Sequence, residues 1–219
     1  MVKQERAART RGALLQTAAS LFDRQGYAAT SLSQITKETG GISAGALNFH
    51  FASKAELAHA VVDAGNATTL AALDEAPPDQ GTPLDQLVDL TLTLVRLLEA
   101  DDTVRAAVRL EQELPDVAPW SRLWRPQVDE LLQQSYDEGQ LRLSATPESV
   151  RDLVTHLVAG AEALLRCREV GPDTRSDRQA ATQVEAQTDA VALLEGIWQL
   201  VLVGVAALPQ DRSLPSPTA

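Results

Sequence analysis

Residues 30–54, TSLSQITKETGGISAGALNFHFASK, contain side chains whose types and spacing indicate contact with phosphate. Ser53 can cap the start of a helix, which places Lys54 in the first helical turn. The helix dipole favours anions there, so a cation is poorly placed. A bound phosphate would relieve this misfit. The chemistry indicated is therefore binding of a polyanion.

Two short helices joined by a tight turn must position this segment. Ser31 is placed to cap the first helix, which carries Leu32 and Ile35 on one side. Gly40 and Gly41 end it, because glycine enters the left-handed region without strain. The pattern predicts a helix-turn-helix whose second helix, residues 43–49, enters the major groove of DNA.

The second helix is expected to divide into an apolar inward side and a small, polar outward side. Small outward residues allow a helix to approach another surface closely. Ser43 would cap this helix. The residues expected to face inward are Ala46, Leu47 and Phe49, and those expected to face outward are Ser43, Ala44, Gly45, Asn48 and His50.

Charge is distributed unevenly along the 219 residues. The net charge is −11, but residues 1–57 carry seven lysines and arginines against four acidic residues, a local balance of +3. The remainder carries 12 basic and 26 acidic residues. A small basic surface suffices for phosphate contact, and the acidic body keeps the rest of the chain away from a polyanion. This asymmetry favours DNA as the partner of residues 1–57 alone, which we call the head.

Motifs for catalysis or metal binding are not found in the sequence. His50, His59 and His156 stand far apart, without the second His or Cys that zinc spacing needs. No Gly-x-Ser-x-Gly elbow, phosphate loop or dinucleotide glycine pattern occurs. We therefore expect no enzyme, cofactor or metal site, and a small all-helical enzyme that uses acidic residues is the less favoured alternative.

Cellular location is indicated by the cysteine content and by the apolar segments. The single Cys167 excludes an internal disulfide and fits a reducing cytoplasm, with a redox role for it as an alternative. The amino terminus is charged and shows no export signal. Residues 192–208 are strongly apolar but contain Glu195 and Gln199 and are shorter than a bilayer requires. We expect a cytoplasmic protein without membrane contact.

Helical periodicity runs through the whole chain, which predicts an all-α fold of about nine helices. We expect three parts: a helix-turn-helix domain at residues 1–54, a ligand-binding and dimerisation domain at 55–208, and a disordered tail at 209–219. A polar segment at 171–187 is expected to be a loop. The apolar content of 44% suffices for an ordinary core.

The last two helices have apolar faces broader than packing within one chain requires. We interpret the surplus as a subunit interface, since two such helices from each of two chains make a four-helix bundle. A dimer would also present two recognition helices to a palindromic DNA site. The expected interface residues are Leu157, Leu164, Leu194, Trp198 and Val201.

Polar residues on otherwise apolar helix faces are candidates for orienting an apolar ligand. Thr91, Gln112 and Thr155 fit this description, although a helical threonine can instead bond to the carbonyl one turn back. Trp120, in a proline-flanked loop, could cover a pocket entrance. Val158, on the same predicted helix as Thr155, is a further expected ligand contact.

Three motifs together resemble the amino-terminal domain of TetR-type repressors. They are LFDRQGY at residues 21–27, SAGALNFHF at 43–51 and KAEL at 54–57. More narrowly, GAL and FHF within the second motif, followed by LAHA at 57–60, are similar to the γ-butyrolactone receptor branch of antibiotic-producing actinomycetes. Two positions, His50 and Lys54, match the family's phosphate contacts, and Trp124 matches a tryptophan that lines the ligand pocket.

The resemblance implies a homodimeric repressor of secondary-metabolite genes. It would leave its operator when a small lactone, furan or butenolide signal, or the antibiotic itself, enters the carboxy-terminal domain. The chain departs from the family in having both Gly40 and Gly41 at the turn, and Ala44 and Asn48 in place of a lysine and a tyrosine. These departures predict weaker phosphate contacts. They leave open an alternative, a small-molecule binding protein with a degenerate DNA-binding head.

Overall fold

The computed structural model describes residues 2–75, 81–169 and 189–207. The predicted loop at 171–187 and the predicted tail at 209–219 lie outside these residues. Within them the chain is all-α, as predicted, with nine helices and one isolated antiparallel bridge between Leu141 and Ala206. The helices are α1 (Val2–Ala29), α2 (Leu32–Glu38), α3 (Ala44–His50), α4 (Lys54–Asp74), α5 (Pro83–Ala100), α6 (Asp102–Glu113), α7 (Ser121–Asp137), α8 (Pro147–Glu169) and α9 (Ala190–Val205).

The chain forms two compact units. The first comprises Met1–Asp74 with Ala100–Leu123, and the second comprises Glu75–Glu99 with Trp124–Ala219. These units do not follow the predicted division between residues 54 and 55, because α4 and α6 both pack extensively on α1. The structural unit that contains the helix-turn-helix is therefore larger than the motif itself.

The core of the first unit is built from the apolar faces of α1, α3, α4 and α6. Leu14 and Phe22 of α1 are fully buried, as are Leu47 of α3 and Leu57 of α4. Phe51, which caps the end of α3, is buried in the same cluster. Burial of each such side chain stabilises the fold by about 1.5–3 kcal/mol, so this shared core fixes α3 on the other helices.

The helix α1 is interrupted at Gly26, whose φ of 80° lies in the left-handed region. Helical hydrogen bonding is broken there, and two backbone groups find an acceptor on α6 instead. The N–H groups of Tyr27 and Ala28 donate to Glu113 Oε2 at 2.9 and 3.2 Å. The carbonyl of Gly26 accepts from Thr30 Oγ1 at 2.7 Å. The turn that precedes α2 is thus held by α6 and by its own threonine.

An ion pair within the first unit joins α6 to α1. Arg105 Nε lies 2.7 Å from Asp23 Oδ2, and the two side chains are only 17% and 8% exposed. Arg105 also contacts Asp102 at 2.8 Å. One turn further along α6, Arg109 donates to the carbonyl of Asp23. The buried carboxylate is therefore neutralised by a residue more than 80 positions away, which ties the two helices together.

The helices α4 and α6 approach closely at Gly65. A Cβ atom added at Gly65 would lie 2.6 Å from the carbonyl oxygen of Thr103 and 2.8 Å from Cβ of Ala107. Only glycine permits this separation of the two backbones. Further along α4, Leu70 is exposed and Thr69 is buried.

The second unit contains α5, α8, α9 and the part of α7 from Trp124 onward. Asp189 caps α9 by accepting from the N–H groups of Val191 and Ala192, and the N–H of Ala190 donates to Glu99 at 2.7 Å. Near the other end of α9, the N–H of Arg142 donates to the carbonyl of Val205 at 2.9 Å. Contacts at both ends therefore hold α9 in the unit.

The helix α7 begins at Ser121 and continues through Pro126. Gly139 follows α7 with a φ of 68°, a conformation that favours glycine and ends the helix. Among the helices described, none has the length and hydropathy needed to span a membrane.

Candidate DNA-binding surface and ligand-binding unit

The helix-turn-helix predicted from the sequence is present as α2, a two-glycine turn and α3. Ser31 Oγ accepts from the N–H of Gln34 at 3.1 Å, and Ser43 Oγ accepts from the N–H of Ala46 at 3.2 Å. Gly40 and Gly41 have φ values of 90° and 76°, so both use the left-handed region. The serine caps and the turn are therefore confirmed.

The orientation of α3 is set by Leu47, which is buried against the first unit's core. Ser43, Ala44, Gly45 and Asn48 are exposed, as predicted. The prediction for Phe49 was wrong, because its side chain is 79% exposed. Leu47 and Phe49 are two residues apart, about 200° around the helix, and cannot both face inward.

His50 and Lys54, the predicted phosphate contacts, lie at the two sides of the turn after α3. His50 is half-buried, and its ring meets that of Phe49 edge-on with 5.1 Å between centroids. Lys54 Nζ lies 4.2 Å from the centre of the Tyr27 ring and 3.5 Å from the carbonyl of Ala28. Tyr27 therefore holds the Lys54 cation near the end of α1, and phosphate contact by both residues stays a prediction.

Additional cations lie on α1. Arg6 and Arg9 are exposed on its first half, and Arg11 stacks over the Phe51 ring at 4.9 Å. These residues are helical rather than part of an extended arm. The first unit therefore offers arginine side chains from α1 in addition to the residues of α3.

Three of the predicted ligand contacts lie in the second unit with Trp124. Trp124 and Val158 are buried, and Thr155 is half-buried. The Thr91 hydroxyl is buried and donates to the carbonyl of Leu87 at 2.7 Å, and that of Thr155 donates to the carbonyl of Arg151 at 2.9 Å. Both threonine hydroxyls thus donate to a carbonyl of the preceding helical turn, the alternative to ligand contact that was given above.

The other two predicted ligand contacts, Trp120 and Gln112, lie in the first unit. Gln112 is exposed on α6. Trp120 is buried, and its indole N–H donates to Thr69 Oγ1 of α4 at 2.9 Å. The backbone N–H of Trp120 donates to Glu111. Burial raises the pKa of the Glu111 carboxyl, and the bond from Trp120 partly offsets this. Trp120 therefore fixes the α6–α7 loop against α4.

A second polar contact joins the same loop to α4. His59 Nε2 lies 2.9 Å from Asp116 Oδ2, and His59 Nδ1 lies 2.7 Å from the carbonyl of Ala55. The pKa of His59 is raised, chiefly by the Ala55 carbonyl and further by Asp116, whereas partial burial acts in the opposite direction. Protonation of His59 therefore strengthens the attachment of the loop.

Comparison with known proteins decides the family. The model described as "Bacterial regulatory proteins, tetR family" matches residues 14–61, which contain α2, α3 and the turn between them. The A-factor receptor protein of Streptomyces griseus is 32% identical over 144 residues, which is 64% of this chain. The matched segment spans 49% of that relative's length. The amino-terminal part of the chain is therefore a TetR-family domain.

Solved structures of TetR-family proteins match most of the chain. A γ-butyrolactone receptor described as ArpA-like is 27% identical with a TM-score of 0.63, covering 87% of this chain and 98% of that one. CprB from S. coelicolor A3(2) is 26% identical with a TM-score of 0.71, covering 94% and 93%. CprB in complex with its biological operator sequence matches with a TM-score of 0.69 and 26% identity, covering 94% and 92%. The chain thus carries a TetR-family domain and resembles a γ-butyrolactone receptor over most of its length.

In the second unit, α8 and α9 pack against each other and enclose a surface groove of about 280 Å³. Leu157, Leu164 and Leu194, three of the predicted interface residues, contribute to its lining, together with Leu193 and Ile197. Trp124 is not among the lining residues. The groove therefore coincides with the predicted subunit interface and not with the predicted ligand site.

The interface prediction needs correction at two residues. Leu194 and Trp198 are buried within the second unit and expose almost no surface to a partner. The exposed side of α9 is formed instead by Leu193, by Leu200, 77% exposed, and by Val203, 73% exposed. Leu164 is exposed as expected, and Leu157 and Val201 are half-buried.

Sequence reasoning missed residues of the first unit that fix α1 to α6. Glu113 accepts from the backbone at the Gly26 break, and Arg105 neutralises Asp23. Their sequence signal was weak, because ion pairs between distant positions leave no local pattern. Phe49, in contrast, could have been assigned correctly from the helical angle that separates it from Leu47.

Proposed function

We propose that the protein is a ligand-responsive transcriptional repressor that binds a palindromic operator as a homodimer. A small signalling molecule of butyrolactone, furan or butenolide type would release it and thereby control secondary-metabolite genes. The observation that carries this proposal is α3, a capped helix with an exposed face of small residues, in a chain similar to CprB, a protein solved with its operator. The positive balance of the head supports DNA as its partner.

Dimer formation is supported by the exposed apolar side chains of α8 and α9. Leu164, Leu193, Leu200 and Val203 would leave water if α8 and α9 of a second copy covered them. Two helices from each chain would form a four-helix bundle, and the two-fold axis of the dimer would match a palindromic site. The expected site residues for DNA are then Ser31, Ser43, Ala44, Gly45, Asn48, His50 and Lys54 of each copy.

The ligand would occupy the second unit beside Trp124. Support comes from the resemblance to γ-butyrolactone receptors and from the burial of Trp124 among apolar neighbours of α7. Release requires that the ligand bind more tightly to a conformation whose two α3 helices do not match the operator. A coupling of about 1–3 kcal/mol, typical of allosteric proteins, weakens DNA binding about 5- to 150-fold.

The first experiment is a fluorescence-polarisation measurement of the purified protein on DNA from upstream of its own gene. We expect tight binding that weakens with increasing salt, because lysine and arginine contacts to phosphate release counterions. An extract from a culture of the organism that carries the gene, which should contain the signalling molecule, should abolish the binding. Failure to bind at any salt concentration would contradict the repressor function and would favour a small-molecule binding protein whose head does not grip DNA.

The ligand site is tested by Trp124→Ala and Trp124→Phe. Truncating a buried tryptophan to alanine costs about 3–5 kcal/mol of stability. The phenylalanine variant is included because it keeps most of the side-chain volume. We expect both to bind DNA and to resist release by the extract. Trp198→Phe is the matched control, since Trp198 is equally buried in the same unit. Normal release of both Trp124 variants would refute this site.

A further inference from the structure

Phe49 is the largest apolar side chain exposed on the described surface of the helix-turn-helix. It is 79% exposed and lies opposite Leu47, the buried residue that fixes α3. The other residues exposed on α3, Ala44, Gly45 and Asn48, are shorter. Covering an exposed aromatic ring on this helix with another apolar group lowers the free energy, because apolar surface is removed from water.

Gly45 lies on the same face as Phe49, one helical turn earlier. A Cβ atom added at Gly45 would meet only Ser43 Oγ at 3.9 Å, an ordinary van der Waals distance. Its backbone also avoids the left-handed region, because the glycines with positive φ are elsewhere in the chain. Neither packing nor backbone conformation within the chain therefore requires glycine here, and its small size keeps the approach to the Phe49 ring open.

The ring of Phe49 also has a defined contact within the chain. The half-buried His50 ring meets it edge-on, with 5.1 Å between centroids and an interplanar angle of 80°. Contact on one edge restricts the ring while most of its surface stays accessible. The ring is thus presented outward on the helix that carries the proposed DNA contacts.

We propose that Phe49 of each subunit reads the 5-methyl group of a thymine in the operator half-site. This inference rests on the proposed DNA-binding function and adds a specificity residue to it. The thymine methyl is the apolar feature of base edges in the major groove, and phenylalanine contacts it without needing a hydrogen bond. DNA is the occupant because the head carries a positive balance and the similar protein CprB was solved on its operator.

The test begins with selection of bound duplexes from a random-sequence DNA library by the purified full-length protein. In the selected duplex, each thymine is then replaced singly by deoxyuridine, which removes only the methyl group. We expect one thymine per half-site whose replacement weakens wild-type binding about fourfold, the equivalent of one buried methylene-sized group at about 0.8 kcal/mol. The other replacements should have smaller effects.

Phe49→Ala should bind the thymine and deoxyuridine duplexes equally at that position. Because the side chain is exposed, this variant should keep the thermal stability of the wild type. The matched control is Leu143→Ala, which also removes an exposed apolar side chain but lies in the second unit. It should retain the fourfold discrimination.

The outcomes separate this inference from the function on which it rests. One outcome is enrichment of a sequence in which no thymine methyl group affects binding. That outcome would refute the inference about Phe49 but would leave the proposed DNA-binding function standing. Discrimination that persists in Phe49→Ala would assign the methyl contact to another residue and would refute it as well. If no sequence is enriched, the proposed DNA-binding function fails, and the inference falls with it.

Discussion

The ion pair between Arg105 and Asp23 makes a quantitative prediction about the first unit. Arg105→Met removes the guanidinium that lies 2.7 Å from the Asp23 carboxylate, which is 8% exposed. Removing one member of a buried pair costs about 3–5 kcal/mol. We take the lower end, about 3 kcal/mol, because Arg105 is 17% exposed and also binds Asp102 near the surface. For a chain of this size, that loss lowers the melting temperature by about 6–12 °C.

The assay is urea denaturation of the wild type, Arg105→Met, Asp23→Asn and the double variant. Since Asp23→Asn removes the carboxylate charge that Arg105 neutralises, the double variant should be more stable than additive losses predict, by at least about 1 kcal/mol. Arg151→Met is the matched control, because its pair with Asp129 is more exposed and should contribute less than about 1 kcal/mol. Additive losses, or a loss from Arg105→Met no larger than that of the control, would refute the reasoning.

Three other predictions follow from contacts and exposed surfaces of the chain. Gly65→Ala should lower the free energy of unfolding by about 1–3 kcal/mol in urea, because the new methyl group collides with the α6 backbone; an unchanged value would contradict the close approach. The raised pKa of His59 means that its pair with the largely exposed Asp116 stabilises the fold below the ordinary histidine pKa and loses this contribution as pH rises through the raised value. At pH 5.5, His59→Asn should therefore lower the free energy of unfolding by a few tenths of a kcal/mol, seen as a lower melting temperature. At pH 8.5 the same substitution should have no effect. Leu200→Glu should convert the proposed dimer to a monomer in analytical ultracentrifugation, whereas Leu143→Glu should leave the mass unchanged.

Local signals in the sequence predicted the secondary structure closely. The caps at Ser31, Ser43 and Ser53 act through hydrogen bonds to residues three positions away, so their partners are already fixed by the sequence. The same holds for Gly139, which ends α7 by its own backbone conformation. Helix starts and stops depend on neighbours along the chain, and single-sequence reasoning therefore finds them.

The direction in which apolar residues face was harder to predict. Phe49 was assigned to the interior on hydrophobicity alone, although its angular separation from Leu47 argues otherwise. Along α9, apolar residues occur on every side, so periodicity cannot distinguish the side that packs within the chain from the side that is exposed. Trp198 was consequently assigned to the subunit interface but is buried within its own unit.

The candidate ligand site was the least accessible to sequence reasoning. Trp124 and Trp120 stand only four residues apart, yet they belong to different compact units. The hydroxyl of Thr69, which accepts from the Trp120 indole, lies 51 positions away and has no signature in the sequence. Contacts of this kind depend on tertiary packing and become visible only in the structure.

The bonds from Tyr27 and Ala28 to Glu113 bear on how this protein could be recombined with TetR-family regulators. The turn that leads into α2 is completed by a side chain from α6, so residues 1–54 lack an acceptor for two of their own backbone N–H groups. A chimaera that joins this head to the body of another regulator would therefore need a glutamate at the equivalent place, or α6 transferred along with the head. The transferable module for engineering new sensors is the packed unit, and a cut after α3 would break it.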